Sequence, residues 1–172
     1  MSNRIEISDR LVYWTEAHPR WKPNPEWPEE VGCVLYATDD ALVLIDPLIR
    51  DDLDVNAWSW LDASIEAHGR PVELPAGIET FTPGGRDEGQ VAFWVPDQRA
   101  LVVAEFFAER DGGLTVLVSP AETDLPAFAE SLEGLRALPI EYVLVAHGAP
   151  VIGGGSEAIA AALDDFGATR LP

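Results

Sequence analysis

Two apolar runs, Val31–Ala37 and Ala41–Pro47, flank the polar triplet Thr38-Asp39-Asp40. Val, Ile, Leu and Tyr dominate both runs, as in strands buried on one or both faces. The triplet tolerates tight-turn geometry, so the stretch predicts a β-hairpin. Its second strand halts at Ile45-Asp46-Pro47. A carboxylate there either caps its own turn or faces a ligand at the rim of a sheet. Upstream, Ile5, Ile7, Leu11 and Tyr13 alternate weakly within Arg4–Thr15 and predict a strand pair turning at Ser8-Asp9-Arg10. His18–Pro28 carries four prolines. These fix φ and remove donors, so an ordered loop without a regular element is expected. Its tryptophans, Trp21 and Trp27, need either the edge of the core or a pocket wall.

Beyond the hairpin, Asp51–His68 predicts a helix, with Leu53, Ala57, Trp60 and Leu61 on one face and Ile65 a turn further on. Asp51, Asp52 and Asp54 stand where the helix dipole favours negative charge, and Gly69 and Pro71 end the element. Strands are expected at Ile78–Thr82, Val91–Val95, Ala100–Phe107 and Leu114–Val118, with turns at Gly84–Gly89 and Pro96–Arg99. Leu125, Phe128, Leu132 and Leu135 repeat at helical spacing and predict an amphipathic helix over Asp124–Leu138. Tyr142–Ala146 reads as a strand ending in His147-Gly148, and Ser156 is expected to cap a last helix through Phe166. Strands come first and mixed strands and helices follow, which predicts a single α/β domain over 1–172 with at least one mixed sheet.

Composition narrows the partners. Thirty acidic against eleven basic residues give a formal charge of −19. Nucleic acid is excluded as a natural partner, because phosphate neutralisation needs clusters of Lys and Arg. An anionic membrane surface is excluded for the same reason. No apolar run approaches the ~20 residues of a membrane span. MSNRIEISDR lacks the basic and apolar segments of a signal peptide, so a cytoplasmic location is expected. The single cysteine, Cys33, lies inside the first hairpin strand and reads as a buried, inert thiol.

Chemistry has few places to sit. There are three histidines, His18, His68 and His147. His147 stands where a strand meets a glycine-rich loop, the kind of rim at which ligands bind. Glu105 lies among apolar neighbours and needs a partner or an exposed position. His68, beside Gly69, reads as a helix C-cap. No H-x-H, H-x-x-x-H or C-x-x-C spacing occurs. His147, Glu105 and Asp46 together are a poor set for zinc, though magnesium, calcium or manganese tolerate oxygen ligands better. Neither Ser119 nor Ser156 has a nucleophile-elbow context. The His147–Ser156 loop, leading into a helix, is a weak candidate for anion binding.

The hairpin ending LVLIDPL, the later VAFWVPDQRALVVAE and the closing EYVLVAHGAPVIGGG resemble the metallo-β-lactamase-fold hydrolases. HPRW…W…VGCVLY near the start is similar to a small lactamase-like branch of them. The resemblance implies a reduced α/β (α+β) fold, an αββα sandwich with mixed β-sheets and a metal site at the sheet rims. On it, Asp46 falls in the loop after the hairpin, Glu105 at the metal-bridging aspartate and His147 at the last histidine ligand.

The chain departs from that pattern in two ways. The signature H-x-H-x-D-H is absent, since the helix Asp51–His68 runs through Gly69-Arg70-Pro71 into VELPAGIETF. The bridging carboxylate is also Glu instead of Asp, one methylene longer. What remains of the family's metal set is His147 and Glu105, read as vestigial. Two ligands neither hold catalytic zinc tightly nor lower the pKa of a bound water. A degenerate site without a cofactor is therefore expected, with Asp46, His18, Trp21 and Gly148 as binding candidates for a small molecule or a protein. A missing strand alters a sheet edge, which makes homo-oligomers an expectation. The alternative is a metal-dependent hydrolase rebuilt around His147, Glu105 and Asp46, with His18 as a further ligand and one divalent zinc or manganese.

Overall fold

A computed structural model describes residues 4–23, 27–48, 74–85, 90–103, 105–118 and 124–170. The helix expected at Asp51–His68, its stop, the His68 cap and much of the Gly84–Gly89 turn lie outside the described residues.

Strands β1 (Ile5–Glu6), β2 (Leu11–Ala17), β3 (Glu30–Ala37) and β4 (Leu42–Ile45) form one antiparallel sheet in chain order. Both expected turns are built as their sequences direct. Ser8 Oγ accepts from the N–H groups of Arg10 and Leu11, and Thr38 Oγ1 accepts from those of Asp40 and Ala41. The second sheet has the order β11-β10-β7-β6-β5, formed by β5 (Glu79–Phe81), β6 (Ala92–Val95), β7 (Ala100–Val102), β10 (Tyr142–Leu144) and β11 (Val151–Ile152). It is mixed, because β10 runs parallel to β7 while the other pairs are antiparallel. A separate hairpin joins β8 (Phe107–Arg110) to β9 (Gly113–Val116).

The two sheets face one another. Leu11, Tyr13, Val34, Tyr36 and Ile45 from the first pack against Val95, Ala100, Val102 and Leu144 from the second. The other face of the second sheet sends Trp94, Leu101 and Val143 towards Phe107, Phe128, Ile159 and Phe166. Burial on both faces explains why these strands read as continuous apolar runs instead of alternating. Helix α1 (Leu125–Leu132) and helix α2 (Gly155–Arg170) belong to that outer layer, where Phe128 meets Phe166 edge-to-face at 6.0 Å. The described layers are thus sheet, sheet and helix, a reduced metallo-β-lactamase-like sandwich.

Several boundaries move. The strand expected at Ala100–Phe107 stops its ladder at Val102, and Phe107 opens the separate hairpin. Glu105 therefore sits in an exposed connection and not within a strand. The strand after Tyr142 pairs only through Leu144. The amphipathic stretch starts at its Asp124 cap, whose carboxylate accepts from Ala127 N–H, and tightens to a 3₁₀ turn at Glu133–Ala137. Ser156 lies inside α2. Its hydroxyl accepts from Ile140 N–H and donates towards Leu138 and Ile140 carbonyls, tying the helix to the segment before β10. The helix continues to Arg170, past Phe166.

Candidate functional site

The parallel pairing of β7 with β10 brings their C-terminal ends to one rim. Sheet one meets that rim through Gly32, whose N–H donates to Ala146 O at 2.7 Å. A Cβ on Gly32 would stand 2.1 Å from Val145 O and 2.6 Å from the Tyr13 hydroxyl, so only glycine allows the approach. The Tyr13 hydroxyl donates to Val145 O at 3.2 Å. Burial, with the nearby charges of Cys33 and Glu30, raises the proton affinity of this phenol.

His147 emerges from this junction. Its Nε2 lies 3.9 Å from Glu105 Oε1, too far for a hydrogen bond and an ion pair only when the imidazole is protonated. The ring rests against Trp27 at 4.7 Å, tilted by 39°. The Arg110 guanidinium covers the Trp27 ring at 4.6 Å, a cation–π contact. Nδ1 of His147 is buried without a hydrogen-bond partner among the described residues. Asp46, at the end of β4, takes the left-handed backbone region with φ 48°. Desolvation raises its pKa, and the negative charge of Glu105 raises it further. His147, Glu105 and Asp46 are therefore neighbours through Glu105. Cys33 is fully buried, and desolvation, with the charges of Glu16 and Asp46, pushes its thiol up to about 12. It is a structural thiol.

His18 and Trp21 act within their own loop. His18 Nδ1 accepts from Arg20 N–H at 3.2 Å, and Trp21 Nε1–H donates to Trp27 O at 3.1 Å. Trp21 thus supports the tryptophan that touches His147. Gly148, with φ 91°, turns the chain after His147. Sequence patterns did not single out Glu109 or Arg110. The weak signals for them were the Arg110-Asp111-Gly112-Gly113 turn and the glycine after His147. The helix-entry loop has little to offer an anion, because Gly153 and Gly155 donate to Glu141 O and Ser156 N–H donates to Ile140 O. Glu157 adds a negative charge to the first turn of α2.

Among the described residues, no group of three or more His, Cys, Asp or Glu is placed to hold a metal ion. One imidazole facing a carboxylate at 3.9 Å, with its other nitrogen buried, does not fit the three-ligand set of catalytic zinc. The described residues do not form a dinuclear hydrolytic centre.

No family model matches this chain. Solved structures do resemble it. A metallo-β-lactamase from Pontibacter korlensis superposes with a TM-score of 0.59 at 15% identity, covering 96% of this chain and 100% of that one. A metallo-β-lactamase from Erythrobacter litoralis gives 0.66 at 15% identity over 95% and 91% of the two chains. A mono-zinc form of an NDM/FIM-1-like metallo-β-lactamase from Erythrobacter litoralis gives 0.59 at 13% identity, with 95% of each chain covered. Identities this low speak for architecture, and the architecture is consistent across them: this chain has the metallo-β-lactamase fold.

Proposed function

We propose that this protein is a degenerate member of the metallo-β-lactamase fold that acts by binding, with the His147 rim as its ligand surface and without dinuclear metal hydrolysis. One observation carries the reading. The carboxylates and the imidazole that share the rim contain a single nitrogen donor, and no metal-holding group of three forms among the described residues. What the rim offers instead is an indole tilted against an imidazole, two carboxylates and a guanidinium. That mixture suits a small molecule or a short peptide recognised by stacking and charge better than it suits Lewis-acid chemistry.

Metal analysis of the purified chain, beside His147→Ala, tests the proposal. The expected result is zinc and manganese far below one per chain, unaltered by the substitution, with no turnover of β-lactam or thioester probes. Stoichiometric metal that is lost in His147→Ala, together with hydrolysis, overturns it and installs the rebuilt single-metal hydrolase of His147, Glu105 and Asp46.

A further inference from the structure

We infer that Glu109, at the end of β8, is the positioning residue of the His147 site. The inference takes from the proposed function only that His147 is the centre of the site. Three contacts from this one residue reach the turn that carries the imidazole or the turn beside it. Glu109 N–H donates to His147 O at 3.0 Å. Glu109 Oε2 accepts from Ala149 N–H at 3.1 Å, on the far side of the imidazole's turn. Oε1 accepts from Gly112 N–H at 2.7 Å, inside the β8–β9 turn. The His147-Gly148-Ala149 turn is thus held at both ends by one residue, and that residue is itself held by its own hairpin.

The shape of the turn agrees. A Cβ at Gly148 would stand 2.5 Å from Glu109 O and 2.7 Å from Glu109 Cβ, so the turn wraps directly onto this backbone. The hairpin end is stiff, with positive φ at Asp111 (54°) and Gly112 (83°), the two-residue geometry that matches strand twist. The next residue along β8 reaches the site from a second direction, since Arg110 covers the Trp27 ring that rests on His147. Adjacent residues of one strand end therefore fix the backbone beneath His147 and the ring against it. Bonds from N–H groups to an ionised carboxylate are stronger than bonds to a neutral acceptor, which is what Glu109 brings to the turn.

Glu109→Ala and Glu109→Gln in the full chain test this, beside Arg110→Gln, which uncovers Trp27 but leaves the carboxylate in place and is expected to keep both amides protected. Two readouts are needed: amide hydrogen exchange at Ala149 and Gly112, and acylation of each histidine by diethyl pyrocarbonate, read by peptide mass. In Glu109→Ala both amides are expected to exchange about tenfold faster or more, and His147 to acylate faster by a similar factor, with His18 unchanged. In Glu109→Gln the single carbonyl oxygen serves one amide, so protection splits between Ala149 and Gly112. Faster exchange at both amides with His147 reactivity within about twofold of the parent overturns the assignment. So does a uniform rise at every amide, which marks Glu109 as a general stabiliser. Neither readout depends on metal or turnover, so a failed binding reading leaves this result interpretable.

Discussion

The two ends of this sandwich were finished differently. At the end where β6 turns into β7, the polar groups pair. The Tyr36 hydroxyl donates to the Asp97 carboxylate at 2.9 Å, Ser8 Oγ donates to Gln98 Oε1 at 2.6 Å, and Arg99 Nε donates to Pro139 O at 2.9 Å. At the rim end, His147 Nδ1 and Thr15 Oγ1 are buried without partners among the described residues, and Asp46 faces the like charge of Glu105. Thr15 pairs with Gly32, so these two atoms belong to the neighbourhood where β3 meets β10, and a third, Gln90 Oε1, lies just before β6. Buried polar groups are ordinarily satisfied, and exceptions gather where a surface serves something other than stability. One end closes the fold, and the other is the surface on which the proposed binding function rests.

The largest expected effect comes from breaking the foundation of the rim. Gly32→Ala would place a methyl group 2.1 Å from Val145 O, a backbone atom that cannot swing aside. A loss of about 3 kcal/mol is expected, read as a lower urea midpoint at unchanged slope. A midpoint shift below about 0.5 kcal/mol would mean that the two sheets are not locked at this point. The next effect lies at the closed end. Tyr36→Phe removes a donor to an ionised carboxylate and is expected to cost about 1–2 kcal/mol. Burial, reinforced by Asp97, raises the Tyr36 phenol to about 12. A raised pKa in the folded state gives stability that is complete below the ordinary value of 10.0 and lost as pH rises through about 12. Alkaline titration of stability should therefore fall less steeply over that window in Tyr36→Phe than in the parent.

What the sequence revealed divides along the same line. The first sheet was legible nearly residue by residue, because Ser8 and Thr38 make the local turns that their side chains favour. The wrapping of His147 around Glu109 was not, since it links residues far apart in the chain through a carboxylate with no local signature. The ladder's end at Val102 was hidden by the apolar run that continues through Phe106 and Phe107, which are buried beyond the strand. Ser156 looked like a helix cap because it follows three glycines, yet its hydroxyl is taken by Ile140 and Leu138. Local chemistry was readable, and long-range pairing was not.

A smaller effect sharpens the account of the rim. Asp46 has its folded pKa raised by desolvation and by Glu105, so its favourable contribution is complete below the ordinary value of 3.8 and lost as pH rises through the raised value. At neutral pH the ionised carboxylate therefore works against the fold. Asp46→Asn should raise the melting temperature at pH 7, since asparagine also tolerates the left-handed backbone at this position. The gain should vanish below pH 3.8, where the parent carboxyl is already neutral. A gain that persists unchanged into acid would trace it to the backbone and leave the Glu105 repulsion without support.

The smallest expected effect is the most discriminating. His147→Phe removes a ring whose Nδ1 has no partner and whose Nε2 lies only at 3.9 Å from Glu105, while keeping a planar face for Trp27. Deleting an unsatisfied polar atom in favour of an apolar group of similar shape is close to neutral or mildly favourable. Stability should change by no more than about 0.5 kcal/mol, against the larger loss expected of Tyr36→Phe. The two substitutions take a polar group from opposite ends of one sandwich, so their difference measures how unevenly the polar groups were satisfied. Equal losses at the two ends would show that His147 is held as firmly as Tyr36, and the rim would then be a second structural closure instead of a site.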